Sequence, residues 1–303
     1  MLELRRLRLL LELSQRGTIA AVAAALSYSP STVSQQLALL EREAGAALTE
    51  PDGRRLRLTD AGRLLAEHAA RALALDEEAR VAVASASTTA VVRIAVMPTA
   101  AEMLVPPALS LLAGRHPGLR VTMTELPPET ALDELAARAF DVVVAEQYPG
   151  HARPLRDGID RSPLGHDPIR IAVPPDDRAT SIADLADRAW VLEPEGTAVR
   201  AWATQQCRAA GFEPDVRFEA TDLAAHARLV AAGHAVALLP DLALAAGTLG
   251  MRLLDLPGTP VREVFAATRT ASRGDEAVHL VRGALGAVFA ALPTPGSARS
   301  TPP

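Results

Sequence analysis

Leu4, Leu7 and Leu11 recur at helical spacing with Arg5, Arg8 and Glu12 between them, so the first apolar stripe predicts an amphipathic helix over residues 2–14. Gly17 ends it. Thr18 is placed to cap a second short helix through Leu26, whose alanines at 20, 21, 23, 24 and 25 permit close approach to a neighbour. In Ser27-Tyr28-Ser29-Pro30-Ser31, Ser29 suits a cap and Pro30 the first helical position, where the missing amide hydrogen costs nothing. A third helix should start there, with Val33, Leu37 and Leu40 inward and Ser31, Thr32, Ser34, Gln35 and Gln36 carrying short or amide side chains near its beginning. Two short extended runs between Leu48 and Thr59 flank the turn pair Asp52-Gly53, with Arg54, Arg55 and Arg57 on the returning strand. The pattern is a winged helix-turn-helix over residues 1–59.

A longer strip follows: Ala61, Leu64, Leu65, Ala69, Ala72, Leu75, Ala79 and Val83, ringed by Arg63, Glu67, Arg71, Glu77, Glu78 and Arg80. This predicts one long helix, and residues 60–89 form a linker that ends in the hinge 85–89. A single strip on so long a helix is naturally buried by the same helix of a second copy; packing onto the following domain is the plainer alternative. Beyond it β and α signals alternate: strand 91–96, helix 100–113, strand 119–124, helix 130–138 and strand 140–145. A second series has strands 169–173, 190–192, 216–218 and 236–239 with helices 197–210 and 222–232. The fold class is therefore α/β, with mainly parallel sheets in two lobes. Strand 261–268 and helix 276–290 are expected to return to the first lobe. That sets a domain of residues 90–292, with lobe I about 90–164 and 268–292 and lobe II about 165–267. The tail 293–303 is expected to be mobile.

Composition narrows the function. With 303 residues, 49% hydrophobic and 22% charged, the chain can bury real cores, and one cysteine, Cys207, excludes a disulfide scaffold or thiolate cluster. All 31 basic residues are arginine, which reflects coding bias. The net charge of −5 argues against a nucleic-acid-coating protein, yet residues 1–59 carry net +2 and the remainder −7, leaving a local DNA-facing surface. The opening Arg5, Arg6 and Arg8 do not make a signal peptide, because Glu12 and Gln15-Arg16-Gly17 break the apolar run, and residues 229–249 fall short of a membrane span. A cytoplasmic protein with no membrane contact is expected.

A helix of ordinary diameter fits the major groove, its first turn can donate to bases and phosphates, and wing guanidiniums neutralise phosphates. The candidate DNA contacts are accordingly Thr18, Ser29, Pro30, Ser31, Thr32, Ser34, Gln35, Gln36, Arg54, Arg55 and Arg57. On an arbitrary helix the same serines would more often be caps, and surface arginines solvated charge; their place after a helix and turn, and on a hairpin, favours DNA.

The ordered string Gly17-Thr18, Ala23, Leu26, Ser29, Val33-Ser34, Gln36-Leu37, Leu40-Glu41, Gly45, Leu48, Gly53-Arg54-Arg55 and Leu58-Thr59, then Ala61-Gly62, resembles the LysR-type transcriptional regulators. Arg115-His116-Pro117-Gly118-Leu119 and Leu229-Val230-Ala231-Ala232-Gly233 extend the likeness through the rest of the chain. The resemblance implies a bilobed effector domain like a periplasmic binding protein, and a dimer or tetramer on a partly palindromic double-stranded operator. Three departures stand out. Thr49-Glu50-Pro51 replaces the family's usual Phe-Glu-Arg, Gln35 stands where arginine is frequent and so favours adenine over guanine, and Arg138 replaces a glycine at a helix end.

Ligands of open α/β sheets sit beyond the carboxyl ends of strands, where helix amino termini point inward. That rule selects Pro98, Thr99, Ala100 and Ala101 after the first strand and Glu195, Gly196 and Thr197 in the second lobe. Glu125, Glu146, Gln147, Thr221 and Asp222 lie near other strand ends. For the threonines, capping without a ligand is an equal reading. The acids make a cationic or zwitterionic effector at least as expected as an anion. No cofactor or metal is expected, since the seven histidines at 68, 116, 151, 166, 226, 234 and 279 lack ligand spacing, and no catalytic motif appears. The expected function is a DNA-binding regulator that is not an enzyme, with a small-molecule effector and RNA polymerase as a further candidate partner. The rival is a cytosolic small-molecule binder or enzyme whose winged helix serves only oligomerisation.

Overall fold

The computed structural model describes residues 2–26, 28–52, 55–84, 90–151, 157–245 and 247–292, with the side chains of all but 55, 77, 78 and 80–84. It divides into two compact units, 1–87 and 88–303.

In the first unit, α1 (Leu4–Arg16) buries Leu7, Leu9, Leu10 and Leu13, and Gly17 stops it by turning left-handed at φ 73° with its N–H donating to the Leu13 carbonyl. The one acid on that buried face, Glu12, is held by Arg16 at 2.8 Å. The Thr18 hydroxyl accepts from the Ala21 amide at 3.2 Å and starts α2 (Ile19–Leu26). The Ser29 hydroxyl accepts from the Thr32 amide at 3.1 Å and starts α3 (Pro30–Ala44). Val22, Val33, Leu37 and Leu40 close the three-helix core. The hairpin β1 (Thr49–Asp52) and β2 (Arg55–Leu58) pairs antiparallel with Glu50 opposite Arg57. Glu41 of α3 fixes the entry to the hairpin, accepting from the Leu48 amide at 2.8 Å and the Thr49 amide at 3.0 Å. Thr49 thus has a defined partner at one of the positions where the chain departs from the pattern it resembles.

The helix α4 (Asp60–Ala84) is as long as expected, but part of its apolar strip has a partner inside its own unit. Ala66 and Ala69 pack into the three-helix core, and Leu73 is buried with them, whereas Leu64 and Leu75 stay 59% and 65% exposed. Close approach makes that docking work: a Cβ on Gly62 would lie 2.0 Å from the Leu48 carbonyl oxygen. The 52–53 turn, the 85–89 hinge and the 293–303 tail fall partly or wholly outside the described residues.

The second unit begins with β3 (Ala90–Val96), α5 (Pro98–Met103), α6 (Val105–Arg115), β4 (Leu119–Glu125), α7 (Pro128–Ala136) and β5 (Val142–Gln147). The single helix expected over 100–113 is two, because Pro106 and Pro107 have no amide hydrogens for the preceding turn, and α6 restarts at Val105 with proline in its first turn. The strand expected over 169–173 is only the end of β6 (Ile159–Val173). Pro163, Gly165 and Pro168 obscure its first half as a sequence signal. There β6 pairs with a returning strand through a bulge, and a Cβ at Gly165 would meet the Phe289 ring at 2.2 Å. Then come β7 (Ala189–Leu192), α8 (Ala198–Ala209), β8 (Asp215–Glu219), α9 (Leu223–Ala231), β9 (Ala237–Pro240), α10 (Asp241–Leu244), β10 (Arg252–Asp255), β11 (Val261–Arg269) and α11 (Glu276–Ala291).

One sheet runs β4-β3-β5-β11-β6, with β3, β4 and β5 parallel and β11 antiparallel to both its neighbours. It is therefore mixed, because β11 enters it from the opposite end. The far half of β6 pairs antiparallel with β9 and β10, and β9 joins the parallel pair β7 and β8 through a Trp190–Val236 bridge. The sheets thus share β6, and the chain returns along β11. On the first sheet, α5, α6 and α11 bury one face around Ile94, Val96, Val142 and Val264, and α7 covers the other around Ala95, Val143 and Phe265. On the second, α8 and α9 take opposite faces. Arg138, at the end of α7, adopts φ 66°, and the Ala139 amide donates to the Glu134 carbonyl at 2.9 Å, the closure a glycine usually provides.

Candidate DNA-reading face and effector cleft

The buried Val33, Leu37 and Leu40 fix which side of α3 is free: Ser31, Ser34, Gln35, Ala38 and Arg42 are exposed along one face. Ser29 and Pro30, at the helix start, are exposed too. The Ser29 hydroxyl shares hydrogen bonds with those of Ser31 and Thr32, each at 2.8 Å, so three hydroxyls cluster beside the first turn. Gln36 is turned toward α1, its amide oxygen accepting from Arg6 Nε at 3.0 Å. Thr18 is half-buried and spent on its cap. Arg57 is exposed and pairs across the hairpin with Glu50, so a phosphate must compete with that carboxylate. Arg54 and the Arg55 side chain lie outside the described residues. Arg42 escaped the sequence reading, although its spacing of eight from Ser34 through Ala38 puts it on the same face.

In the second unit a cavity of about 240 Å³ lies at the strand ends. The first sheet supplies Pro98 and Thr99 from α5, Glu125 from β4, Leu126 to Glu129 at the start of α7, and Glu146, Gln147 and Tyr148 at the end of β5. The second supplies Glu193 and Pro194 after β7, Thr197 to Val199 at the start of α8, and Thr221 and Leu223 beside α9. Seven expected residues therefore meet here: Pro98, Thr99, Glu125, Glu146, Gln147, Thr197 and Thr221. Five do not line it. Ala100 is sealed in the core and Ala101 packs against that core, because the short α5 turns them toward the sheet. Glu195 points to solvent with its side chain 87% exposed, and Gly196 is needed for a turn at φ 86°. Asp222 caps α9, accepting from the Ala224 amide at 2.8 Å.

Arg262 is the main residue that sequence reasoning missed. It starts β11, which runs against its neighbours, so its amino end reaches the cleft and the rule of carboxyl strand ends passes it over. It is 1% exposed. Its Nε donates to Asp167 at 2.9 Å, Nη1 to Glu146 at 2.5 Å and Nη2 to the Thr99 hydroxyl at 3.0 Å. Two carboxylates raise its pKa even though burial opposes them, as a buried guanidinium requires. Burial raises Glu146 despite Arg262, and raises Tyr148 well above the usual phenol range. Glu193 follows directly on β7 and was within reach of the same strand-end rule; burial pushes its carboxyl up to about 7. Cys207 is buried in α8, and burial pushes its thiol up to about 12. Among the described residues no His, Cys, Asp and Glu group is arranged to hold a metal, and no helix is long and apolar enough to cross a membrane.

The profile of the family described as "Bacterial regulatory helix-turn-helix protein, lysR family" matches residues 4–63, and that of the "LysR substrate binding domain" matches residues 85–290. A probable hydrogen peroxide-inducible genes activator of Mycobacterium avium is 30% identical over 294 residues, 92% of each chain. The transcriptional dual regulator GltC of Bacillus subtilis (strain 168) is 28% identical over 254 residues, 82% of this chain and 83% of that protein. Among solved structures, a cysteine-to-aspartate variant of full-length OxyR from Pseudomonas aeruginosa superposes with a TM-score of 0.63 at 21% identity, covering 94% of this chain and 95% of that one. Full-length CbnR complexed with its target DNA gives 0.53 at 21% identity, covering 95% and 100%. Both share the fold.

Proposed function

The chain belongs to the LysR family of DNA-binding transcriptional regulators, and from that premise we propose that α3 reads a partly palindromic operator while the cavity in the second unit holds the effector. In this reading the functional divisions are the reading head 1–59, the linker 60–89 and the effector part 90–292. The carrying observation is the free face of α3, where Ser31, Ser34, Gln35 and Arg42 stand exposed opposite a fully apolar buried side. Ser29, Pro30 and Thr32 approach the backbone near the first turn, Gln36 and Thr18 hold the geometry, and Arg54, Arg55 and Arg57 serve phosphates. Gln35 suits an adenine edge, to which an amide donates and accepts in pairs.

Leu64 and Leu75, left exposed by α4, are the surface on which a second copy pairs, giving a dimer or a tetramer with two reading heads. The protein acts in the cytoplasm, with RNA polymerase as a further partner, and its chemistry is recognition without catalysis. An effector works by binding one arrangement of the dimer more tightly than the other.

Several relatives are hydrogen peroxide-inducible activators. This chain has one cysteine, so a disulfide within it has no second sulfur. Cys207 is also buried, with a thiol at about 12, which leaves little of the nucleophilic thiolate at neutral pH. The effector is therefore not sensed through a disulfide within one chain.

Footprinting on the operator tests the DNA assignment. Gln35→Ala should lose about 1–3 kcal/mol of discrimination at one base pair per half-site. Arg54→Ala with Arg55→Ala should lower the salt slope of binding by about two units per head. An unchanged footprint, base preference and slope refutes it.

A further inference from the structure

Four carboxyls line the cavity, Glu125, Glu129, Glu146 and Glu193, against one guanidinium, Arg262, while Thr99, Gln147, Tyr148, His151, Thr197 and Thr221 add groups that can donate as well as accept. Arg262 is the buried cation at its floor, and its donors go to the chain's own oxygens: Asp167 by Nε and Nη2, Glu146 by Nη1 and Thr99 by Nη2, with Tyr148 as a further hydrogen-bond partner. A ligand carboxylate would have to displace one of these. Helix starts, the usual anion receptors, are partly blunted. The α7 terminus that lines the cavity opens with Pro127 and Pro128, and α5 opens with Pro98, none of which has an amide hydrogen. The start of α8 commits one of its first-turn amides, that of Arg200, to the Thr197 hydroxyl at 3.3 Å.

The opposite wall carries Glu193, whose carboxylate is hydrogen-bonded among the described residues by its own backbone amide. The nearest cation on that lobe, Arg200, does not take it up. Its Nη1 donates to the Glu193 backbone carbonyl at 2.8 Å and lies 3.7 Å from Glu219. Asp167, Glu146 and Glu193 thus set three carboxyls around the one guanidinium of Arg262, beside apolar Leu126, Val199 and Leu223, and burial raises both Glu146 and Glu193. Arg262 and Arg200 favour the Glu193 carboxylate but do not offset its burial, a standing cost that a cation bound beside it reduces.

We propose that the cavity takes a small organic cation, an amine or guanidine of metabolite size, whose charge is received by Glu193 against the saturated Arg262 cluster. This rests on the effector reading above and specifies its ligand class. Glu193 faces Glu146 and Tyr148 at the end of β5, Arg262 on β11 and Arg200 on α8. The cation binds the charged form of Glu193, and that carboxyl titrates at about 7. Affinity for an amine that stays protonated should therefore rise about tenfold from pH 6 to pH 8.

The test uses the full chain and matched probes at constant ionic strength: benzylamine against benzoate, and 1,5-diaminopentane against glutarate, by thermal shift and titration calorimetry. The expected result is saturable stabilisation by at least one amine, stronger at pH 8, with neither carboxylate effective. Glu193→Gln should weaken the amine at least tenfold without lowering the melting point of the free protein, and Glu193→Asp should retain part of the affinity. Stabilisation by the carboxylates with the amines inert overturns the proposal, as does no response to either class or an amine response that Glu193→Gln leaves intact. A fraction of cell extract below 3 kDa separates the two levels. If that fraction shifts melting and footprint while amines do not, the cleft reading stands and the charge assignment falls; if it shifts neither, the effector reading falls too.

Discussion

Replacing Glu193 by glutamine should stabilise the free protein at alkaline pH and leave it unchanged in acid. Burial raises this carboxyl from an ordinary 4.5 to about 7 in the folded chain, so the folded state holds the proton more tightly than the unfolded state does. Stability linked to that proton is fully present below pH 4.5 and is lost as pH rises through 7. At about 1.4 kcal/mol per pKa unit the shift corresponds to at most about 3 kcal/mol, and water at the cavity mouth screens it to roughly 1–2 kcal/mol. Glutamine keeps the shape and never charges, so the variant lacks this slope. The assay is urea denaturation of both proteins from pH 4.5 to 8.5, reading the difference between them, which cancels every other titrating group. The difference should be near zero at pH 4.5, open between pH 5.5 and 7.5, and level off above. Parallel curves, or a wild type favoured at high pH, would show that Glu193 has a partner that compensates its charge, and the reasoning for a cationic ligand would go with it.

Three more outcomes follow from the packing. Gly62→Ala sets a methyl carbon 2.0 Å from a backbone oxygen that cannot rotate away; overpacking of about 1–3 kcal/mol should exceed the helix-propensity gain of about 1, and a thermal midpoint at or above wild type refutes it. At Arg138, held at φ 66°, the glycine variant should be more stable than the alanine variant by about 1 kcal/mol, a comparison from which the lost arginine contacts cancel. Arg262→Met strands Glu146 and Asp167 and should cost about 3–5 kcal/mol at pH 8, less at pH 5, because burial already raises Glu146 and the loss of its cation favours the protonated form further. A loss independent of pH would mean that packing, not charge, dominates there.

Much of this was readable in the sequence for local reasons. Gly17, Ser29, Pro30 and Gly45 each impose a helix boundary through their own backbone chemistry, and the observed caps fall on them. Thr99 and Thr197 were reached because parallel strands end where helices start. What escaped was non-local. The first half of β6, broken by Pro163, Gly165 and Pro168, is a strand because β11 pairs with it, a fact no window of the sequence contains. Arg262 reads as one more surface arginine until that pairing seats it between Asp167 and Glu146. Ala100 and Ala101 erred the other way, since a strand-end rule gives a neighbourhood but not the side of a six-residue helix that faces the cavity.

Arg262 also bears on how a ligand in the cavity could be felt elsewhere in its unit. The residue starts β11 and binds Thr99 on α5, Glu146 at the end of β5 and Asp167 on β6; Asp167 in turn accepts from the Leu242 amide on α10 at 2.9 Å. The strands that carry the chain between the sheets, β6 outward and β11 back, are thus fastened at one guanidinium. A ligand contacting Glu146 or Thr99 acts on that fastening directly, and one charge-assisted hydrogen bond in such a site is worth about 1.5–3 kcal/mol. That is the size of ordinary coupling between two sites, so no rearrangement larger than the exchange of a single partner of Arg262 is needed to bias the crossing strands. A ligand received by Glu193 alone would instead leave the cluster intact and act by drawing the second lobe's β7–α8 connection toward the cation. The two routes differ in a measurable way. Thr99→Val removes one partner of Arg262 without adding charge, so it should weaken the coupling between effector and operator only if the route through Arg262 is the one in use.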